Sequence, residues 1–228
     1  MTLLSVENIR FSYQNSDEDR LDADLTPVFE FDLQLDAGKI LAITGRSGSG
    51  KSTLLDLLAG FLKPIEGTII LDNHDITDKI PSERQISVLF QKNNLFEHLN
   101  VLDNVCLGLS PNKSPSNSQK QQAMQMISRV GLLHFESRAV STLSGGQMQR
   151  TALARELLRQ TRLILLDEPF NGLDEKSREV MMDILKQVVG ERQCSVILVT
   201  HDVQSISAIV DVVAEVKAGR LQIAPVPD

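Results

Sequence analysis

Short apolar and β-branched runs recur along the chain, with polar stretches of helical period between them. Strands are predicted at Leu3–Ile9, Phe29–Leu35, Ile40–Ile43, Thr68–Leu71, Ile86–Phe90, Leu163–Leu166, Val196–Val199, Val212–Val216 and Leu221–Ile223. The runs Leu163–Leu166 and Val196–Val199 are apolar without interruption. Strands buried on both faces read this way, as in a parallel sheet covered by helices. Helices are marked by apolar stripes. One joins Val180, Met181, Ile184, Leu185 and Val188, and another joins Ala123, Met126, Ile127, Val130 and Leu133. Strands that alternate with helices predict an α/β class with a mainly parallel sheet.

Two polar stretches interrupt the pattern. Gln14–Asp24, with Asp17-Glu18-Asp19, reads as a solvated loop, and Ser110–Gln122, rich in Ser, Asn, Gln and Pro, reads as a flexible connector. Between about residues 92 and 159 the pattern is helix-rich although core strands flank it, so a helical subdomain inserted into the α/β core is expected.

Composition narrows the classes. At 228 residues the chain suits one domain with a subdomain, and 42% hydrophobic residues suffice for a sizeable core. A net charge of −7 argues against a nucleic-acid surface, which needs clustered Lys and Arg. Cys106 and Cys194 lie far apart, outside any CxxC and without a histidine at ligand spacing. They read as thiols in a reducing compartment. The start, Met1–Glu7, has no basic then apolar leader, and no apolar run is long enough to span a bilayer. A cytoplasmic chain is expected, with any membrane role supplied by a partner.

The chemistry begins at Gly45-Arg46-Ser47-Gly48-Ser49-Gly50-Lys51-Ser52, a G-x-x-x-x-G-K-[ST] motif between the apolar run Ile40–Ile43 and a helical run from Ser52 to Ala59. Glycines let successive N–H groups converge on phosphate oxygens, and the helix N-terminus adds a positive dipole end. Lys51 is placed to reach the β- and γ-phosphates, and the Ser52 hydroxyl is a Mg²⁺ ligand. The run Leu163–Leu166 ends in Asp167-Glu168. Alternation along a strand predicts that one acid faces a metal and the other the attacking water: Asp167 would hold Mg²⁺ through water, and Glu168 would act as the base. His201 and Gln91 follow two further strands and are expected at the same sheet edge, His201 at the γ-phosphate and Gln91 as a Mg²⁺ ligand or water-orienting group. In Leu143-Ser144-Gly145-Gly146-Gln147, Ser144 is expected to cap a helix whose exposed N–H groups can bind an anion.

Together these motifs resemble the ATP-binding cassette family over essentially the whole chain. Gly45–Ser52 is similar to its Walker A loop, Leu143–Gln147 to its signature loop, and Leu163–Glu168 to its Walker B strand with catalytic glutamate. Gln91 and His201 match the Q- and H-loops. Asn171-Gly172-Leu173-Asp174 resembles the D-loop, with Gly172 where alanine is common. Tyr13 resembles the A-loop aromatic that stacks on adenine, although the acidic stretch after it makes the interval to Gly45 longer than usual. The resemblance implies a P-loop NTPase core within a single domain, residues 1–228, with an N-terminal antiparallel β subdomain and the inserted helices. It also implies contacts of Thr53, Ser144, Gly145, Gly146 and Gln147 with ATP, and Mg²⁺ held at Ser52, Gln91 and Asp167.

Further expectations follow from the resemblance. Two copies would pair head to tail, each ATP lying between the Walker A loop of one and the signature loop of the other. Permease subunits would dock near Gln91 and the helical subdomain, with Leu95 and Phe96 supplying apolar area, and a periplasmic solute-binding protein would act indirectly. The stretch Leu89–Leu99, with Asn104 and Leu107-Gly108-Leu109, is similar to ATPases of bacterial thiamine importers. Thiamine or its phosphates are therefore the expected solute, with ferric ion or another small solute, or a non-transport cassette protein, as alternatives. A P-loop kinase or GTPase fits less well, because Leu143–Gln147 is present and a guanine-reading Asn-Lys-x-Asp is not. With the last predicted strands, Val212–Val216 and Leu221–Ile223, lying close to residue 228, regulation through a C-terminal barrel is not expected.

Overall fold

The computed structural model describes residues 1–13, 28–91, 94–111 and 114–227. The whole polar stretch 14–24, together with Lys92 and Asn93 of the thiamine-importer resemblance, lies outside the described residues. The strands are β1 (Thr2–Ser12), β2 (Val28–Asp36), β3 (Ile40–Thr44), β4 (Glu66–Leu71), β5 (His74–Asp75), β6 (Ile86–Leu89), β7 (Leu163–Asp167), β8 (Ser195–Val199), β9 (Val212–Lys217) and β10 (Arg220–Ala224). The α-helices are α1 (Lys51–Ala59), α2 (Val101–Cys106), α3 (Asn117–Arg129), α4 (Gly145–Leu158) and α5 (Glu175–Arg192). All described strands join one sheet in the order β5-β4-β1-β2-β10-β9-β3-β8-β7-β6.

The sheet has two characters. β9, β3, β8, β7 and β6 are mutually parallel, whereas β1 pairs antiparallel with β2 and β4. This is the expected α/β class with a mainly parallel core and an N-terminal antiparallel layer. β10 joins the two parts, antiparallel to β9 and touching β2 at the single pair Arg220 and Glu30.

Alternation along the parallel strands feeds two separate cores. Ile40, Ala42, Ile164, Leu166, Val196 and Leu198 face a core shared with α2–α5. Leu41, Ile43, Leu165, Ile197 and Val199 face a core shared with α1, β1 and β2. Burial on both faces explains why β7 and β8 carry no polar alternation.

Three predicted details change. Leu133 is 54% exposed, because α3 ends before Gly131 (φ 71) and the turn gives the buried place to Leu132. Val180 is also exposed, at the margin of the α5 stripe, whereas Met181, Ile184, Leu185 and Val188 are buried. The polar connector is shorter than its composition suggests. α3 starts inside it, at a capping box in which Ser116 and Gln119 satisfy each other's backbone N–H. Residues 112 and 113 of that connector lie outside the described residues.

Register positions the site. Ile43 pairs with Val199, Val199 with Asp167, and Leu166 with Leu89. The carboxyl ends of β3, β8, β7 and β6 therefore finish level with one another. In an open parallel sheet that edge is where ligands bind. Below it, Arg84 fixes α1 from its far end. Its buried guanidinium donates to the carbonyls of Leu57 and Leu58, both at 2.7 Å, and to those of Thr77 and Lys79. A cation there satisfies orphan carbonyls and suits the negative end of the helix dipole.

Candidate nucleotide site

The loop between β3 and α1 is shaped by residues without side chains. Gly50 stands at φ 113 as the N-cap of α1, with no side-chain cap. A Cβ there would lie 2.6 Å from the Phe29 ring, so the loop and β2 approach closely only because this position is glycine. Gly45 is as constrained: at φ 141, its Cβ would lie 2.4 Å from the Val216 carbonyl. Lys51 is buried, and its ammonium donates to the carbonyls of Gly45 and Arg46 at 2.8 and 3.0 Å. The loop is thus curled around its own cation, with Ser49 N–H donating to Arg46 O. Ser49 Oγ is buried and has no hydrogen-bond partner among the described residues.

A cavity of about 370 Å³ opens over this loop. Ser47, Gly48, Gly50, Lys51, Ser52 and Thr53 form its floor, and Gln91, Asp167, Glu168 and His201 form the wall supplied by the three neighbouring strands. Tyr13 and Phe29 close the side toward the antiparallel layer. Tyr13 Oη lies 3.0 Å from Thr53 Oγ1, and its ring meets Phe29 edge-on at 6.0 Å. Phe29 was legible only as a strand residue. Its part in the wall depends on β2 lying beside the phosphate loop, 21 residues away in sequence at Gly50.

The two acids do not alternate. β7 ends at Asp167, and Glu168 takes a left-handed φ of 51, so both side chains line the same cavity. The expectation of opposite faces fails because Glu168 is the first residue past the strand. Burial pushes both carboxyls above the usual carboxylate range. His201 opposes that rise in both, and Lys51 opposes it as well. His201 Nε2 is 3.1 Å from Glu168 Oε1. That oxygen is nonetheless buried without a well-aligned donor among the described residues. A carboxylate held this way can accept a hydrogen bond from a water in the cavity, then its proton.

The segment Ser144–Gln147 sits elsewhere. Ser144 N-caps α4 in a capping box: Gln147 N–H donates to Ser144 Oγ at 3.3 Å, and Ser144 N–H to Gln147 Oε1 at 2.9 Å. A Cβ on Gly145 would meet nothing within 4 Å, so the main chain is open there, whereas a Cβ on Gly146 would lie 3.3 Å from the Gly172 carbonyl. None of Ser144, Gly145, Gly146 and Gln147 lines the nucleotide cavity of its own chain. Gly145 instead borders a second groove, with Gln91, Leu95, Met148 and Gln149. Gln91 lines both spaces. Close by, Phe96 is 49% exposed, its ring edge-on to His98 and 5.8 Å from the Arg155 guanidinium. Asp174 N-caps α5 through Ser177.

Comparison with known proteins gives a consistent set. A family profile described as ABC transporter matches residues 28–171. A thiamine import ATP-binding protein, ThiQ, of Vibrio cholerae is 39% identical over 97% of this chain and 88% of its own length. The protein of that name from Photorhabdus laumondii is 41% identical over 92% of this chain and 84% of its own. Among solved structures, the dimeric ATP-binding cassette MJ0796 in a post-hydrolysis state with ADP and Pi superposes with TM-score 0.82. It is 27% identical, and the alignment covers 99% of this chain and 100% of that one. An inward-facing putative metal-chelate type ABC transporter superposes with TM-score 0.76 at 30% identity, over 99% of this chain and 84% of that one.

Proposed function

Because this chain belongs to the ABC transporter family, as an ATP-hydrolysing subunit, we propose that it powers import of thiamine or its phosphates from the cytoplasmic face of a bacterial inner membrane. The naming of relatives at about 40% identity supports the solute. Among the described residues no helix is long and apolar enough to cross a membrane, so the chain would act through permease subunits. The groove beside Gln91 and Leu95 supports docking there, and the half-exposed Phe96 ring supports an apolar contact at its rim. A periplasmic binding protein would deliver the solute to the permease.

The observation that carries the chemistry is the cavity in which Lys51, Ser52, Gln91, Asp167, Glu168 and His201 meet. Tyr13 would stack on adenine. The N–H groups of Gly45–Ser52, unprotected by any side-chain cap, would bind phosphate oxygens. Lys51 would exchange its two loop carbonyls for the β- and γ-phosphates, and Thr53 would contact the phosphate chain. The oxygen donors of Ser52, Gln91 and Asp167 fit Mg²⁺, a hard cation that keeps phosphate and water ligands. Among the described residues no cluster of three His, Cys, Asp or Glu could hold a metal unaided, which suits that shared coordination. Bound there, Mg²⁺ would neutralise charge on the phosphate oxygens. Glu168 would accept a proton from the lytic water, and His201 would orient toward the γ-phosphate. Ser144–Gln147 of a second copy would close over the nucleotide, a geometry supported by the dimeric MJ0796 cassette.

Glu168→Gln tests the chemistry. Turnover should fall by about 10²–10⁴ while ATP affinity holds, and gel filtration should show an ATP-trapped dimer. A monomer with bound ATP would count against the head-to-tail arrangement. For the solute, reconstituted permease complex should hydrolyse ATP faster with thiamine and its binding protein present. Stimulation by ferric ion instead would overturn the thiamine assignment.

A further inference from the structure

The main chain at Glu168 is strained and poorly anchored by the sheet. The residue stands at φ 51, a left-handed conformation that an L side chain adopts only under outside constraint. It also precedes Pro169, which has no N–H to offer. β7 has already ended, so the sheet supplies only the bond from Glu168 N–H to the Val199 carbonyl at 3.0 Å. The carbonyls of Glu168 and Pro169 point away from the ladder. Both are met by one side chain: Gln149 Nε2 lies 3.3 Å from Glu168 O, which also accepts from the turn N–H of Asn171 at 3.2 Å, and 2.9 Å from Pro169 O, for which Gln149 is the side-chain donor. Both partners are acceptors, so only the NH₂ end of the carboxamide can face them, and its two hydrogens match two carbonyls.

Gln149 comes from a different part of the molecule. It sits on α4, one turn beyond the Ser144 cap, and its other flank borders the groove formed with Gln91, Leu95 and Met148. Through it the helix that starts at the glycine-rich cap grips the backbone of the acid in the nucleotide cavity. The sheet fixes Glu168 from one side and α4 fixes it from the other.

We propose that Gln149 is a positioning residue that holds the Glu168 main chain, so that the base is correctly placed only while α4 sits against the end of β7. The inference rests on Glu168 acting as the base. Its consequence is a coupling device: any shift of α4 relative to the parallel sheet lengthens the two Gln149 bonds and releases Glu168, without touching the phosphate loop.

Three substitutions test this in the full chain, with Glu168→Gln measured alongside. Gln149→Met removes the donors at similar size, Gln149→Glu sets a carboxylate against two carbonyls, and Gln149→Lys restores a donor. Met and Glu should each lower kcat by about 10-fold or more, since small misplacement of a reacting group is costly. KM for ATP, calorimetric ATP affinity and melting temperature should stay near those of the unmodified chain. Lys should recover part of the lost kcat, and Gln149→Met in the Glu168→Gln background should cost nothing further. Unchanged kcat in the Met and Glu variants, with Glu168→Gln inactive, would overturn the positioning role and leave the base assignment intact. A parallel fall of kcat, ATP affinity and melting temperature would overturn it in favour of a packing role. Full turnover in Glu168→Gln would remove the base assignment and this inference with it.

Discussion

Two helices in this molecule begin with glycine-rich segments, yet their N-termini are finished in opposite ways. α1 starts at Gly50, left-handed and uncapped, and its first turn carries a buried Lys51 and opens into the nucleotide cavity. α4 starts at Ser144, capped reciprocally with Gln147; Gly145 faces open space, whereas Gly146 lies close to the Gly172 carbonyl. A helix leaves its first N–H groups without intrahelical partners. On α4 the protein supplies two of the missing bonds from its own side chains. On α1 it supplies none, and instead packs a cation beneath the loop. The first terminus is therefore built to be completed by an anion, whereas the second is stable alone and offers only the surplus of its main chain. This difference accords with a site that binds nucleotide in one chain first and recruits the second terminus afterwards.

The comparison can be broken most severely at Lys51. Lys51→Ala removes the charge at the phosphates and should cost about 2–5 kcal/mol of ATP binding, read by calorimetry, with monomer melting altered far less. Affinity equal to that of the unmodified chain would dissolve the distinction between the termini. Next is Gly50→Ala, whose methyl collides with Phe29 in a left-handed backbone. Overpacking predicts a loss of about 1–3 kcal/mol of stability, accompanied by weaker ATP binding. Ser144→Ala then probes the capped terminus. It should cost about 1 kcal/mol, a fall of a few degrees in melting temperature, while monomer ATP affinity stays the same. The smallest effect is expected at Gly145→Ala: the methyl meets nothing within 4 Å, so folding and monomer binding should be unaltered. Only ATP-driven pairing of two chains, followed by light scattering, should weaken. Loss of monomer binding in that variant would mean that α4 serves its own chain's nucleotide.

Much of this was written locally in the chain. The cap at Ser144 and the phosphate loop Gly45–Ser52 are relations between residues three to seven apart, which a helix start and a glycine-rich turn close locally. The uninterrupted apolar runs of β7 and β8 declared burial on two faces, and with it the parallel sheet whose level ends gather Gln91, Asp167 and His201. Tertiary structure decided what depends on contacts across long separations. Phe29 became a cavity wall because β2 lies against Gly50. Glu168 joined Asp167 on one side because β7 ends at Asp167 and its alternation does not reach Glu168, and the Val199 carbonyl and Gln149 then hold the left-handed turn. Gln149 gave no signal at all in sequence, since an amide on a helix surface is ordinary until packing sets it beside two carbonyls that the sheet has left unpaired.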